Sequence, residues 1–385
     1  MRIADPLFFV VAAAIFGGAP AFGAESLPEG ATASAGGLYW QPHDFGSEAQ
    51  FNPLTAAFNL SLDILRNPSY EDRLSDLSFG TGMINVFRNI SQPTEEISHF
   101  GWKHFIAHEV FPIRGIGREY GQFIPNWFIH TLGEGMVYRK LQDWYAHYHV
   151  RYPRLLAITT TIALQLLNES FENGSFRGPN QDPIADVLIW NPLGLVLFSF
   201  EPIARFFRGP VLLNVWLGQP ALGSGWRITN GAESYAFKVP LGLPRGGSVF
   251  VYLGKEALLG GTISLNPHDH LSLGGGASLN RLQVVRVGDG TAQMLVPDGG
   301  LVGEVGIFWD RDESLLMSFI AGLTVQPAVE LNVYPGLVQW SGWALGGFAR
   351  WSQGEGPSAG LTLRGWPLGL GWIGQTVDHP DAVLH

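Results

Sequence analysis

Residues 329–351 read VELNVYPGLVQWSGWALGGFARW. Val329, Leu331 and Val333 alternate with Glu330 and Asn332. Trp343, Leu345, Ala349 and Trp351 then share one parity, and Arg350 takes the other. Successive side chains on a strand point to opposite faces, so a period of two gives each strand one apolar and one polar face. The same grammar extends both ways. Leu361 and Leu363 oppose Thr362 and Arg364; Val305, Ile307 and Trp309 oppose Glu304 and Asp310; Ile263 and Leu265 oppose Thr262 and Ser264. Turn-forming clusters at 243–247, 266–269, 288–290, 297–300, 310–313 and 353–357 separate these runs.

Two all-β architectures use this pattern. A soluble sandwich turns the apolar face inward, and a transmembrane barrel turns it outward. Three features favour the barrel. The runs are about ten residues long, as a tilted membrane strand requires. Aromatic residues recur near strand ends, at Tyr252, Trp309, Tyr334, Trp340, Trp343, Trp351, Trp366 and Trp372, where interfacial girdles form. Only Lys238 and Lys255 supply lysine after residue 210. The expectation is an α+β protein whose residues 209–374 form an antiparallel transmembrane β-barrel of about 8–10 strands, followed by a polar tail at 375–385.

Upstream, residues 51–208 read as a helical domain. In RLLAITTTIALQLLNESF (154–171), Leu155, Ile158, Ile162 and Leu166 recur at helical spacing, and Pro153 suits the first turn. Residues 127–148 form a second helical candidate. Residues 187–200 form a third, interrupted by Asn191-Pro192. Residues 25–50 read as a flexible leader. Residues 1–24 read as a signal peptide, with Arg2, the apolar run LFFVVAAAIF (7–16) and a small-residue site at Ala19-Pro20-Ala21. The mature chain is expected to begin between Phe22 and Glu25, which directs it to the bacterial outer membrane, or alternatively to the periplasm.

Composition narrows the chemistry. A formal net charge of −10 argues against nucleic acid as a partner. The absence of cysteine excludes disulfides, thiolate metal sites and a cysteine nucleophile. No cofactor is expected. His104 and His108 lie four apart, as do His130 and Glu134, and together they make a candidate metal set on helices, though not in zincin order. A second constellation is acidic, in NESFENGSFRGPNQDPIADVLIWNPLG (168–194). Glu169 and Glu172 share a helix face, Asp182 is placed to cap the next helix before Pro183, Asp186 lies one turn in, and Arg177 is the nearby cation. Two facing carboxyls with split pKa values can do acid–base work; the plainer reading is a buried network that fixes helix register. Ser272, His268 and His270 form a third, weaker group at a turn.

The Glu-rich helix end, the Pro/Asn loop, Asp182-x3-Asp186 and Asn191-Pro192-Leu193-Gly194 resemble the VanZ-like helical pattern. They resemble still more an uncharacterised family of bacterial envelope proteins. His130, Gly135 and Tyr138 approximate that family's His-x-x-x-Gly-x-x-Tyr, one residue longer. The resemblance covers residues 100–207 and implies an envelope location with no assigned activity. It marks Glu169, Glu172, Asp182, Asp186 and Gly194 as structural or site positions. The expected function is that of an outer-membrane protein whose helices plug or flank the barrel, in contact with membrane lipid and handling a lipid-like ligand. The alternatives are a lipid- or cell-wall-modifying enzyme and a soluble periplasmic binding module.

Overall fold

The computed structural model describes residues 37–66, 73–112, 122–242, 247–323, 327–352 and 356–374. The expected signal peptide and polar tail lie outside them. The fold is α+β, with helices between Gly46 and Arg208 and strands between Asn214 and Ile373.

Among the described residues, thirteen strands form one sheet. Ten of them, β4 (Glu233–Pro240) to β13 (Gly369–Ile373), pair in chain order as an antiparallel meander. The remaining three come from one short segment. β1 (Asn214–Leu217) pairs with β4 at one end, while β2 (Ala221–Leu222) and β3 (Ile228–Thr229) complete the other, β2 lying parallel to β13. The expected barrel was antiparallel throughout with about 8–10 strands; the thirteen strands and this parallel junction depart from it, the extra ones being the short β1, β2 and β3. Eleven strand spacings separate β1 from β2 along the ladder, on the order of 50 Å if flat. Four residues of chain, from Leu217 to Ala221, span at most about 14 Å. The sheet therefore curls until its two ends approach each other. Hydrogen bonding does not join β1 to β3, so one seam stays open.

Side chains of the helical half also serve backbone groups at the start of β4. Asn59 Oδ1 accepts from the Ala232 N–H at 2.8 Å, and Asp63 Oδ1 from the Glu233 N–H at 3.1 Å. The helical elements are α1 (Gly46–Gln50), α2 (Pro53–Leu60), α3 (Phe79–Ser91), α4 (Pro93–Phe100), α5 (Trp102–Phe105), α6 (Glu134–His147), α7 (Pro153–Glu172), α8 (Asp182–Ala185), α9 (Asn191–Ser199) and α10 (Glu201–Arg208). Three π-helical turns interrupt them, at Ile106–Val110, Phe128–Gly133 and Asp186–Trp190. Gly82 of α3 meets α7 so closely that a β-carbon would run into the Ser170 carbonyl oxygen. Gly82→Ala should therefore lower stability by about 1–3 kcal/mol through overpacking, read as a lower melting temperature; an unchanged value would mean that α3 is not held there.

The leader is not loose over its described part. Tyr39 donates its hydroxyl to the Ala204 carbonyl at 2.7 Å, and its N–H donates to Asp143 Oδ2 at 2.6 Å. Helix α1 enters the concave side of the sheet, where Ser47 Oγ accepts from the Leu315 N–H at 3.1 Å and Glu48 pairs with Lys140 of α6. Its small and polar residues suit this position because the concave face of the sheet is itself largely polar.

That face reverses the usual arrangement. Lys238, Thr262, Ser272, Glu304, Asp310, Glu330, Asn332 and Thr362 are buried. Their strand neighbours Leu259, Ile263, Leu273, Val305, Ile307, Val329, Leu331 and Leu361 are exposed, Leu361 to 68%. The interior is filled. Trp216, Phe250, Tyr252 and Phe308 pack ring on ring, with Tyr252 and Phe308 centroids 4.6 Å apart. Lys238 Nζ meets Asp310 at 2.5 Å and Glu313 at 3.3 Å, and Arg350 meets Glu330 at 3.2 Å. Tyr252 and Tyr334 thus point inward, not into a girdle. The expected turn at 297–300 lies within β8 (Ala292–Arg311), where Asp298 pairs with Arg281 beside a bulge. With β7 (Asp269–Val287), β8 makes a long hairpin whose tip reaches α4: His99 Nδ1 lies 2.8 Å from Asp289.

Candidate functional site

Each π-helical turn brings one or two polar side chains to the same buried place. Such turns widen a helix locally and are frequent at functional sites. The cause is plain at the third: Pro192 has no N–H for the Leu188 carbonyl, and the helix upstream opens. At the second, Gly194 lets α9 approach the carbonyl oxygens of His130 and Thr131 to within 3 Å of where a β-carbon would sit. That close crossing sets His130 beside Asn191. The Asn-Pro-Leu-Gly motif thus acts through backbone geometry.

Four carboxyls meet here as two pairs. Glu109 and Asp182 share a side-chain hydrogen bond, and so do Glu169 and Asp186. Asn126 Nδ2 joins the pairs, donating to Asp182 Oδ1 at 3.0 Å and to Asp186 Oδ1 at 2.6 Å. Gln122 and Gln181 donate to Glu109 at 3.3 and 3.2 Å. His130 Nδ1 lies 3.0 Å from Asn191 Oδ1, and its Nε2 lies 3.4 Å from Asp186 Oδ2. Among the described residues no lysine or arginine forms an ion pair with these four carboxyls.

Burial without a cation dictates the charge state. Desolvation, then the neighbouring carboxyls, push Glu169 and Asp186 well above the carboxylate range, and Asp182 likewise through Glu109. Burial raises Glu109 to about 7 and Glu172 to about 8. It lowers His130 to about 4, against the opposing hydrogen bond to Asn191. At neutral pH the imidazole is therefore uncharged, and each carboxyl pair holds at least one proton. A neutral imidazole beside a protonated carboxyl pair can accept, hold and return a proton.

The expected sites regroup. The carboxyl partner of Glu169 is Asp186 on another helix; Glu172 faces the cavity beside Asp63 and Asp182. Asp182 is the first residue of α8 and makes no cap bond, because Gln181 occupies the capping position. Arg177 is exposed and, among the described residues, pairs with none of the carboxyls; its N–H donates to Gln293. The metal set His104, His108, His130 and Glu134 is not assembled. His104 and His108 both lie against Phe100, as their spacing implies, yet only His108 is buried, with Nε2 3.6 Å from Glu109. Glu134 turns toward Gln165 instead. The donor atoms that do lie within 4.8 Å of one another belong to His130, Glu169 and Asp186. Ser272 bonds Thr262 at 2.7 Å while His268 pairs with Asp312, so no nucleophile group forms at the turn.

Glu109 and Asn126 are members that the sequence reading missed. The signal for Glu109 was the one applied to Glu169, a carboxylate set among apolar residues; Asn126 had none. The site opens on a cavity of about 280 Å³ between helices and sheet, lined by Glu109, Asn126, Glu172, Asp182, Glu233 and Met294 among others.

Raised carboxyl pKa values bind protons more tightly in the folded state. Their stabilisation is complete below the unfolded value of about 4.3 and is lost as pH rises through the folded values. Glu109, Glu134 and Glu172 at about 7, 8 and 8 put that loss between about pH 4.3 and about pH 8. His130 acts oppositely, but only between about 4 and 6.5. In chelator-treated protein the melting temperature should therefore fall from pH 6.5 to 8.5, and Glu134→Gln should make the fall shallower. A melting temperature flat or rising across that window would contradict this charge state.

No family model matches the chain, no curated protein matches it and no solved structure matches its fold, so the reading of the site rests on its own geometry.

Proposed function

We propose that the protein is an outer-membrane β-barrel protein, sealed and not an open channel, whose helical half closes the seam of the sheet and handles a lipid-like or apolar ligand beside the acidic site. The observation that carries this reading is the inverted polarity of the sheet, since an apolar band exposed on strand after strand is costly in water and favourable in lipid.

Tryptophan placement agrees. Exposed Trp340, Trp343 and Trp366 lie at one end of the strands, and exposed Trp351 and Trp372 toward the other. From Trp343 to Trp351 is eight residues, about 26 Å along the strand. At barrel tilt that leaves about 20 Å along the normal, near the apolar height of outer-membrane barrels. A groove of about 660 Å³ on this outer face, lined by Leu331, Leu345, Leu361 and Trp372, suits an acyl chain. The filled interior supports a sealed barrel. No single described helix is long and apolar enough to cross a membrane, though one bent pair, Asp182–Ser199 with Glu201–Arg208, passes by length and composition.

The test is refolding of the full mature chain with phosphatidylcholine vesicles. The protein should float with the vesicles and resist protease across residues 214–373. Recovery as a monodisperse monomer in detergent-free buffer would contradict the proposal and favour a soluble periplasmic module. The paired carboxyls favour a second reading, an envelope enzyme acting on lipid or cell-wall substrates. A Glu169→Gln protein that assembles normally but loses an envelope phenotype would promote it.

A further inference from the structure

We propose that His130, Glu169 and Asp186 form a binding site for one divalent metal ion of the Zn²⁺ or Mn²⁺ class. One donor atom from each lies within 4.8 Å of the other two. The 3.4 Å between His130 Nε2 and Asp186 Oδ2 matches the spacing of two tetrahedral ligands whose bonds to an ion are about 2.1 Å long, which is about 3.4 Å. The three ligands come from a π-helical turn, the end of α7 and a second π-helical turn. Long-range packing of these elements, including the Gly194 crossing, fixes their relative positions before any ion arrives.

Two further observations point to a cation. With its proton on Nδ1, the His130 imidazole donates to Asn191 Oδ1 at 3.0 Å, the outer contact that orients metal-bound imidazoles. The Nε2 lone pair then faces the Asp186 carboxyl at 3.4 Å, a gap that the carboxyl proton fills in the metal-free protein and that a divalent ion can take over. Independently, Gln181 is 1% exposed; its amide nitrogen bonds Glu109 at 3.2 Å, and its Oε1 finds no donor. Gln181 Oε1 is thus a buried acceptor left without a donor beside the cluster, as Asn191 Nδ2 is a buried donor left without an acceptor, and a divalent ion would satisfy the former. One imidazole with two carboxylates selects a borderline ion over Mg²⁺ or Ca²⁺, and a chain without cysteine offers no soft thiolate ligand. This site does not depend on where the sheet resides.

The test uses the full mature chain in detergent, stripped with a chelator and titrated with Zn²⁺ and Mn²⁺ by calorimetry. One equivalent should bind. His130→Ala and Asp186→Asn should each weaken binding at least about 100-fold, while Arg177→Ala leaves it unchanged. Co²⁺ should give a visible d–d spectrum that His130→Ala abolishes. If Asp186→Asn does not fold by circular dichroism, Glu169→Gln and His130→Gln take its place. Absence of saturable binding to the parent protein, or unchanged affinity in the folded variants, would overturn the site. Tighter binding of Mg²⁺ or Ca²⁺ than of Zn²⁺ and Mn²⁺ would overturn the ion class. Because the readout is taken in detergent, failure here is distinct from failure of vesicle insertion.

Discussion

Leu361→Arg is expected to block assembly into vesicles, at a cost of about 2–4 kcal/mol, while leaving the secondary structure of the detergent-solubilised protein unchanged. Leu361 stands on the outer face of β12 (Gly356–Leu363), opposite Gly347 of β11 (Trp343–Ser352) and Leu370 of β13. Gly347 is four residues from both Trp343 and Trp351, so Leu361 lies midway between the two tryptophan rows. A cation at the bilayer midplane has that cost in membrane barrels. In a water-soluble sheet the same change at a 68% exposed leucine would fall within about ±0.5 kcal/mol. Urea titration in vesicles beside the parent protein separates the two, and equal midpoints would contradict the outward reading. Thr362→Arg is no neutral control, although an open polar lumen would make it one. Thr362 is buried, donates to Gln219 Oε1 at 2.5 Å and crowds Gly346, so the interior has no room there.

The second large effect lies in that interior. Lys238 is 2% exposed, with Nζ held between Asp310 and Glu313 and 5.5 Å from the Trp216 ring. Lys238→Met keeps the length of the chain but strands two acidic groups, one of them fully buried. Breaking a buried pair from one side costs about 3–5 kcal/mol. The expected result is a protein that folds only in fresh detergent or not at all. Adding Asp310→Asn should restore part of the loss, because it removes the stranded charge. A single variant with the parent's stability would mean that water reaches Asp310 and that the interior is an aqueous lumen.

How much of this was legible in the residues follows from physical scale. A period of two sustained over Leu361 to Arg364 or Glu304 to Asp310 is long enough to read, and it marked both the strands and their apolar parity. The ten-strand meander followed from it. Strands such as Ala221–Leu222 and Ile228–Thr229 are too short to carry any period, and it is they that supply the far edge of the sheet. Pro297 to Gly300 has the composition of a turn, but pairing across the β7–β8 hairpin outweighs local preference, and the irregularity is absorbed as a bulge. The helices were legible from spacing at three and four, yet a π-helical turn of five residues cannot be told from an α-helical one by spacing. The site stands on three such turns. That is why Glu169, Asp186 and His130 could each be marked, while their meeting point, with Glu109 and Asn126, could not.

The central claim is that the apolar face of the sheet meets lipid. The chain has no cysteine, so single cysteines can be placed without background. Along β8, Gly303, Val305 and Ile307 are exposed while Glu304, Gly306 and Phe308 are buried. Spin labels placed one at a time over 303–308 in vesicle-reconstituted protein would report access to lipid-dissolved oxygen and to a water-soluble nickel chelate. The account predicts high oxygen and low nickel access at 303, 305 and 307, and little of either at 304, 306 and 308. High nickel access at the odd positions would place that face in water and contradict it.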